Sequence, residues 1–498
     1  MISFLIIALI IIVCLRYIKV FQGGGLSKWT LTIAYGIKLL AAIIFYYVYI
    51  YKVGSNQEPS DAIRFMNESK MLFDVYQTSK SDFFSLLTGI GDNARMLHTY
   101  MNESYIWDAG NFTLINDSRN TIRIHSLIQF ISHNQIRIHF IILNFIALIG
   151  IYQLYLSIKK FSTLNPNLLF FILLMLPSLL FWSSSILKEP FLVLGVGVFI
   201  RGLLSDFKPS KKVVFIIIGA TILIGFKPYI LICIMPAILF YILYKYIFKF
   251  NLIKTLTLLI LTIILTIVIF PSKNQKITEY ISRKQFDLEN VGEGGVHAYK
   301  NEYINNGYYY FKPQHYKNIK LIGDSVLLFK PSTAFFLSVD TKKIPKRVFL
   351  YPSGQKWKIH NLMPGTNSYF KSTLIDNSFQ QLVLNIPEAI FNAMFRPFPL
   401  DKGSLLKFPI MLESWGILLL LIFSFFFKKK NLDKKEKGII SALLIFTLLL
   451  FMLIGLTTPI SGAIARFRFP AQLALVIISL ISIDHKRIKL SQWKTTFL

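Results

Sequence analysis

Residues 252–270 read LIKTLTLLILTIILTIVIF, with Lys254 the lone charge. Crossing the hydrocarbon core of a bilayer takes about 20 apolar residues of helix, and a water-soluble core needs no run of that kind. The stretch reads as a membrane span, and comparable stretches recur along the chain. Of 498 residues, 54% are hydrophobic and 16% charged, and mean hydropathy is +0.54. Spans are predicted near 2–20, 30–50, 138–157, 166–184, 190–204, 213–226, 229–246, 252–270, 406–427, 439–457 and 469–484. The fold class expected is an all-α polytopic membrane protein of about 11 transmembrane helices.

The formal charge of +29 is read loop by loop before it is read as affinity for nucleic acid. Every second short loop is basic: Arg16, Lys19 and Lys28; Lys159 and Lys160; Lys208, Lys211 and Lys212; Lys245, Lys249 and Lys254; Lys428–Lys437; and Lys486, Arg487, Lys489 and Lys494. By the positive-inside rule these loops are cytoplasmic, which puts two long polar segments, 51–136 and 271–405, on the other face. The implied partners are membrane lipids, and a nucleic acid is not among them. The first apolar run lacks a basic n-region and a small-residue cleavage site, so it reads as a retained anchor. Cys14 and Cys233 fall inside spans, which leaves neither a disulfide framework nor a thiolate metal cluster. Abundant Lys, Ile, Phe and Asn suit an AT-rich bacterial genome, which would make the membrane the inner one and the far face periplasmic.

The organisation predicted is an extra span and loop (1–29), a membrane core (30–270) containing the first outer loop (51–136), a periplasmic module (271–405), and C-terminal spans with a cytoplasmic tail (406–498). In the first outer loop, Pro59-Ser60-Asp61 precedes Ala62, Ile63, Phe65, Met66, Leu72, Phe73 and Val75 at helical spacing. This predicts an amphipathic helix on the outer leaflet, capped by Ser60 or Asp61. Asp61 is either that cap alone or a carboxylate presented for chemistry. Asn116-Asp117-Ser118-Arg119 and Arg123 lead to a second surface helix, where Asp117 is expected to pair with an Arg. Between about 304 and 372, aromatic and β-branched residues alternate with polar ones, predicting a small β-rich module. Gly292-Glu293-Gly294-Gly295 lacks the strand before it and the Gly-Lys-Ser/Thr after it that a phosphate loop needs, so it reads as a mobile loop. Ile386-Pro387-Glu388 starts a short amphipathic helix that ends at Arg396-Pro397.

Three outer turns carry charge. Pro177 to Pro190 contains Ser185-Ile186-Leu187-Lys188-Glu189, and Lys227-Pro228 lies between two spans. Charges at such depth cost up to about 3 kcal/mol unless they snorkel or find a partner. Glu189 could simply complement the positive end of the helix it opens. In Arg466-Phe467-Arg468-Phe469-Pro470, the proline biases Phe469 toward an extended backbone, where residues two apart share a face. Both guanidiniums would then join Lys188 and Lys227 in a cradle for a lipid phosphate, and in a helix they would diverge. The plain alternative is Arg snorkelling to headgroups.

An acidic residue in the first large outer loop, a Pro…Ser-x-x-Lys-Glu turn, a Lys-Pro turn and a late Arg-x-Arg-x-Pro together resemble the GT-C superfamily of polyprenyl-phosphate-dependent integral-membrane glycosyltransferases. The likeness is greatest to bacterial members near the dolichyl-phosphate-mannose-type and lipopolysaccharide-core enzymes. The resemblance implies a GT-C-like fold, Asp61 as catalytic base, and phosphate binding by Lys188, Glu189, Lys227, Arg466 and Arg468, with Asp117 and Arg123 as secondary candidates. It implies a polyprenyl-phosphate-linked sugar as donor and a glycan or lipid as acceptor. Ala62 stands where the family often has a second acidic residue, so no metal ligand set is assigned and a divalent cation is left open as the one candidate cofactor. An O-antigen or polysaccharide polymerase or ligase would also use outer arginines. A lipid or solute transporter usually shows inverted repeats and mid-membrane charges.

Overall fold

The structure is a computed structural model, and it describes residues 2–53, 60–104, 107, 116–299, 307–338, 345–375 and 378–484. Pro59 and the basic tail from Lys486 lie outside the described residues. The protein is mostly helical with one small antiparallel sheet, as a membrane-embedded chain of this hydropathy requires. It divides into two compact units, Met1–Pro236 with Ser424–Leu432 and Val476–Leu498, and Ala237–Phe423 with Asp433–Leu475.

In the first unit the helices are α1 (Ile2–Tyr17), α2 (Thr30–Phe45, continuing as a π-helix over Tyr46–Val53), α3 (Asp61–Thr78), α4 (Lys80–Thr88), α5 (Ala94–Tyr100), α6 (Asp117–Ser132), α7 (Ile136–Ile158), α8 (Pro166–Leu174), α9 (Pro177–Ser183), α10 (Glu189–Leu204) and α11 (Pro209–Phe226). Then α12 (Pro228–Ile242) leads into the second unit. Glycines let α7 and α10 cross backbone to backbone: a methyl group on Gly197 would sit 2.0 Å from the Gly150 carbonyl oxygen. The α3 stripe of Ala62, Phe65, Met66, Leu72 and Val75 is buried in a core shared with Ile122 and Ile128 of α6. This corrects the expectation of a helix lying on the outer leaflet. An apolar period of 3.6 has the same form whether lipid or protein covers it.

The second unit contains α13 (Leu252–Ile269), α14 (Pro271–Glu293), α15 (Phe379–Leu384), α16 (Ile386–Phe395), α17 (Lys407–Phe426) and α18 (Lys434–Thr457), and α19 (Ser461–Ser482) begins in it. Its seven strands are β1 (Gly295–Tyr299), β2 (Gly307–Phe311), β3 (Ile319–Ile322), β4 (Ser325–Leu328), β5 (Ser332–Ser338), β6 (Lys346–Leu350) and β7 (Lys356–Met363), paired in the order β3-β4-β7-β1-β2-β5-β6. One face packs Val296, Ala298, Phe311, Val326 and Trp357. The glycines expected to form a mobile loop instead make a packed helix-to-strand junction. Gly294 has φ +83°, and a methyl group there would meet the Met363 oxygen at 2.7 Å. The module therefore starts at Gly295, earlier than its aromatic alternation suggests.

Among the described residues eight helices are long and apolar enough to cross a membrane, and α8 with α9, bent by 69°, would make a ninth. The other two spans expected, α1 and α10, have 16 residues each, or about 24 Å.

Candidate functional site

Asn116 sets the start of α6, its side-chain oxygen accepting from the Ser118 and Arg119 amides at 3.0 and 3.1 Å. That cap fixes Asp117 and Ser118 in the first helical turn, where they meet Lys188. The Lys188 ammonium lies 2.6 Å from Asp117 Oδ2 and donates to Ser118 Oγ at 2.8 Å. It also stands 5.7 Å from the centre of the Phe65 ring. Phe65 is one turn along α3 from Asp61 and on the same face. Asp61 itself is exposed and is the first residue of the helix, while Ser60 occupies the N-cap position without making a cap hydrogen bond. Asp61 is thus not the cap.

Glu189 is fully buried, and Lys227 approaches its Oε1 at 3.5 Å. The two cations of these turns thus each meet a carboxylate of the protein, Lys188 with Asp117 and Lys227 with Glu189. The partner expected for Asp117 was an arginine. Arg123 instead donates from Nε to the Leu86 carbonyl and from Nη1 to Asn120 Oδ1, both at 3.0 Å. With Arg119 it flanks the Trp107 ring, at 5.2 and 5.4 Å. Burial lowers the Arg123 pKa from its usual value, and its contacts tie α6 to the end of α4.

The segment that bears Lys188 and Glu189 is buried from Ser183 onward and held almost residue by residue. Lys38, wholly buried in α2, donates to Ser183 O, Ser183 Oγ and Ser184 Oγ at 3.1, 2.8 and 3.1 Å. Asn144 Nδ2 donates to Ser184 O at 3.3 Å, and Ser185 Oγ accepts from the Leu187 amide at 3.1 Å. His125 Nε2 donates to Ile186 O at 2.9 Å. Burial holds the His125 pKa down, to about 4, so the ring is neutral near pH 7. Its Nδ1 must then accept from His139 Nδ1, 2.8 Å away, and His139 Nε2 lies 2.8 Å from Ser132 Oγ. None of Lys38, His125, His139 or Asn144 entered the sequence reading. The available signal was an ionisable or amide group inside an apolar run, which in a membrane calls for a named partner.

The other half of the expected cradle falls in the second unit and takes a different form. Residues 461–482 are helical through Pro470, so Arg466 and Arg468 point about 200° apart and not onto one face. A proline inside a membrane helix is tolerated because neighbouring groups satisfy the freed carbonyl. Arg468 is fully buried; its Nη1 donates to Ala393 O, Met394 O and Arg396 O, and its Nη2 to Ile410 O and Ser414 Oγ. A guanidinium there completes the carbonyl end of α16, where the helix dipole favours a cation. Arg468→Lys keeps the charge but loses the fork. It is expected to cost about 1.5–3 kcal/mol, the range for hydrogen bonds to a charged group, with lipid-phosphate affinity unchanged. Thermal unfolding in detergent beside a binding assay checks both.

Among the described residues no group of three or more His, Cys, Asp or Glu side chains could hold a metal ion. The chain matches no family model, no curated protein and no solved structure.

Proposed function

We propose that this protein is an inverting glycosyltransferase of the inner membrane, with eleven spans and a periplasmic site, that moves a sugar from a polyprenyl-phosphate donor to a glycan or lipid acceptor. The observation that carries the reading is the clamped segment 183–189. It holds Lys188 and the Glu189–Lys227 pair rigidly, with Lys188 against the α3 face that Asp61 opens. A sugar on a lipid phosphate already has a good leaving group, so transfer needs one base and fixed cations. Asp61 takes the proton of the acceptor hydroxyl as its oxygen attacks the anomeric carbon. The bond from that carbon to the phosphate oxygen breaks, and the departing phosphate gathers charge beside Lys188. Lys227, paired with Glu189, holds the start of α10 beside Lys188 in place. A donor phosphate competes with Asp117 for Lys188, and the ammonium, with three donors, can serve both. The polymerase or ligase reading loses support with Arg468, which is fully buried and donates from Nη1 to the carbonyl end of α16 and from Nη2 to Ile410 and Ser414 of α17.

Donor recognition is tested without knowing the sugar. Protein in phosphatidylcholine nanodiscs should bind polyprenyl phosphate and not polyprenol, and Lys188→Ala should weaken the phosphate by about tenfold or more, as loss of a charge-assisted hydrogen bond implies. Equal binding of the alcohol, or full affinity in the variant, would remove Lys188 from the site.

A further inference from the structure

The sheet face opposite the Trp357 core is covered by α14 over only part of its width, with Phe286 packed against Tyr310 and Leu337. Beyond that cover the face is polar, aromatic and basic. Ala298 pairs with Ile359 while His297 pairs with Asn361, so His360 is an extra residue in β7. A bulge of this kind re-aims a side chain. Here it turns His360 onto the face of His297, with its Nδ1 3.1 Å from the Tyr299 hydroxyl and its ring about 5 Å from those of Tyr299 and Tyr308, at 5.0 and 5.1 Å. His297 is 8% exposed, and its Nε2 has no hydrogen-bond partner among the described residues. Burial, with His360 and Arg283 nearby, lowers its pKa to about 4, so it lies beneath the His360 and Tyr308 rings as a neutral imidazole.

Cross-strand partners point the same way. Tyr299 pairs with Lys358, which pairs with Ser325. Lys356 pairs with Leu327, which pairs with Lys320. Lys320, Lys356 and Lys358 are exposed, with Lys320 and Lys356 two strand spacings, about 10 Å, apart. Asp287, from α14, is bound to Arg283 at 2.9 Å.

We propose that this face binds an acidic polysaccharide: ring faces of Tyr299, Tyr308 and His360 take the apolar faces of the sugars, the exposed His360 imidazole bonds hydroxyls, and the three lysines take carboxylates. Leu327 stands between Lys320 and Lys356, but the residues beside Lys358 and His360 are aromatic rings bearing hydrogen-bonding groups, which suit the faces and hydroxyls of sugars better than lipid. The face thus names an acceptor class for the transfer proposed above and rests on that reading only for its role. Binding is read without turnover, so its failure leaves the Asp61 claim standing.

The full-length protein in phosphatidylcholine nanodiscs is titrated with polygalacturonate oligosaccharides and with dextran oligosaccharides of equal length. Polygalacturonate should bind at least tenfold more tightly than dextran. A triple K320A/K356A/K358A variant, altered only at exposed positions, should lose at least tenfold with its melting temperature unchanged, and Tyr308→Ala should lose affinity with the lysines intact. Indifference to acid, or full affinity in the triple variant, overturns the proposal. Binding to phosphatidylglycerol vesicles through the same lysines, with none to polygalacturonate, would replace it with a membrane contact.

Discussion

Asp61→Asn is expected to slow sugar transfer by roughly 10²–10⁴, the usual contribution of a positioned general base, while expression and melting temperature hold. The substitution keeps size and removes proton acceptance. The structure sharpens this test, because Asp61 is an exposed first-turn residue and Ser60 holds the cap position. A structural role for Asp61 at the start of α3 would show in the Asn protein as lost stability without harm to turnover. Transfer measured in nanodiscs with the donor at saturation decides it, and near-normal turnover by the Asn protein would end the base assignment.

Lys227→Met is expected to destabilise the first unit by about 3–5 kcal/mol, the range for stranding one member of a buried ion pair. Glu189 is wholly buried, so its charge would lose a cation that stands 3.5 Å away. Adding Glu189→Gln should recover most of that loss, because the remaining groups are neutral. The comparison separates two roles. If Lys227 acts chiefly on a ligand, the single variant melts normally and loses only polyprenyl phosphate affinity. A double variant as unstable as the single one would show that the pair is not the source of the effect.

The helices were legible where a long apolar run left little choice. The alternation of basic loops is likewise a one-dimensional pattern, and Ile386-Pro387-Glu388 marks the start of α16 at the position observed. What stayed hidden depends on neighbours far along the chain. The apolar side of α3 gives the same period against lipid as against α6. For Arg466 and Arg468 the sequence leaves an extended and a helical form open, because Pro470 disfavours a helix locally, and packing within a span outweighs that preference. The contacts of Lys188 with Asp117 and Ser118 join residues 71 and 70 positions apart, and no local rule reports them. In the sheet, alternation revealed strands but not the bulge at His360, which is a property of two strands together.

Lys38 has a further consequence for how the chain is made. Its hydrogen-bond partners in α9 lie 145 residues downstream, so at 5–20 residues per second they emerge roughly 7–30 s after it. During that interval α2 carries an uncompensated ammonium, worth about 3 kcal/mol against residence at mid-bilayer. The helix must therefore wait beside the insertion machinery, or ride high with its ammonium at the interface, until the serines arrive. Biogenesis of this protein then has an order: α2 settles only when the bent pair α8 and α9 does, and the segment that bears Lys188 is set in place by the same event.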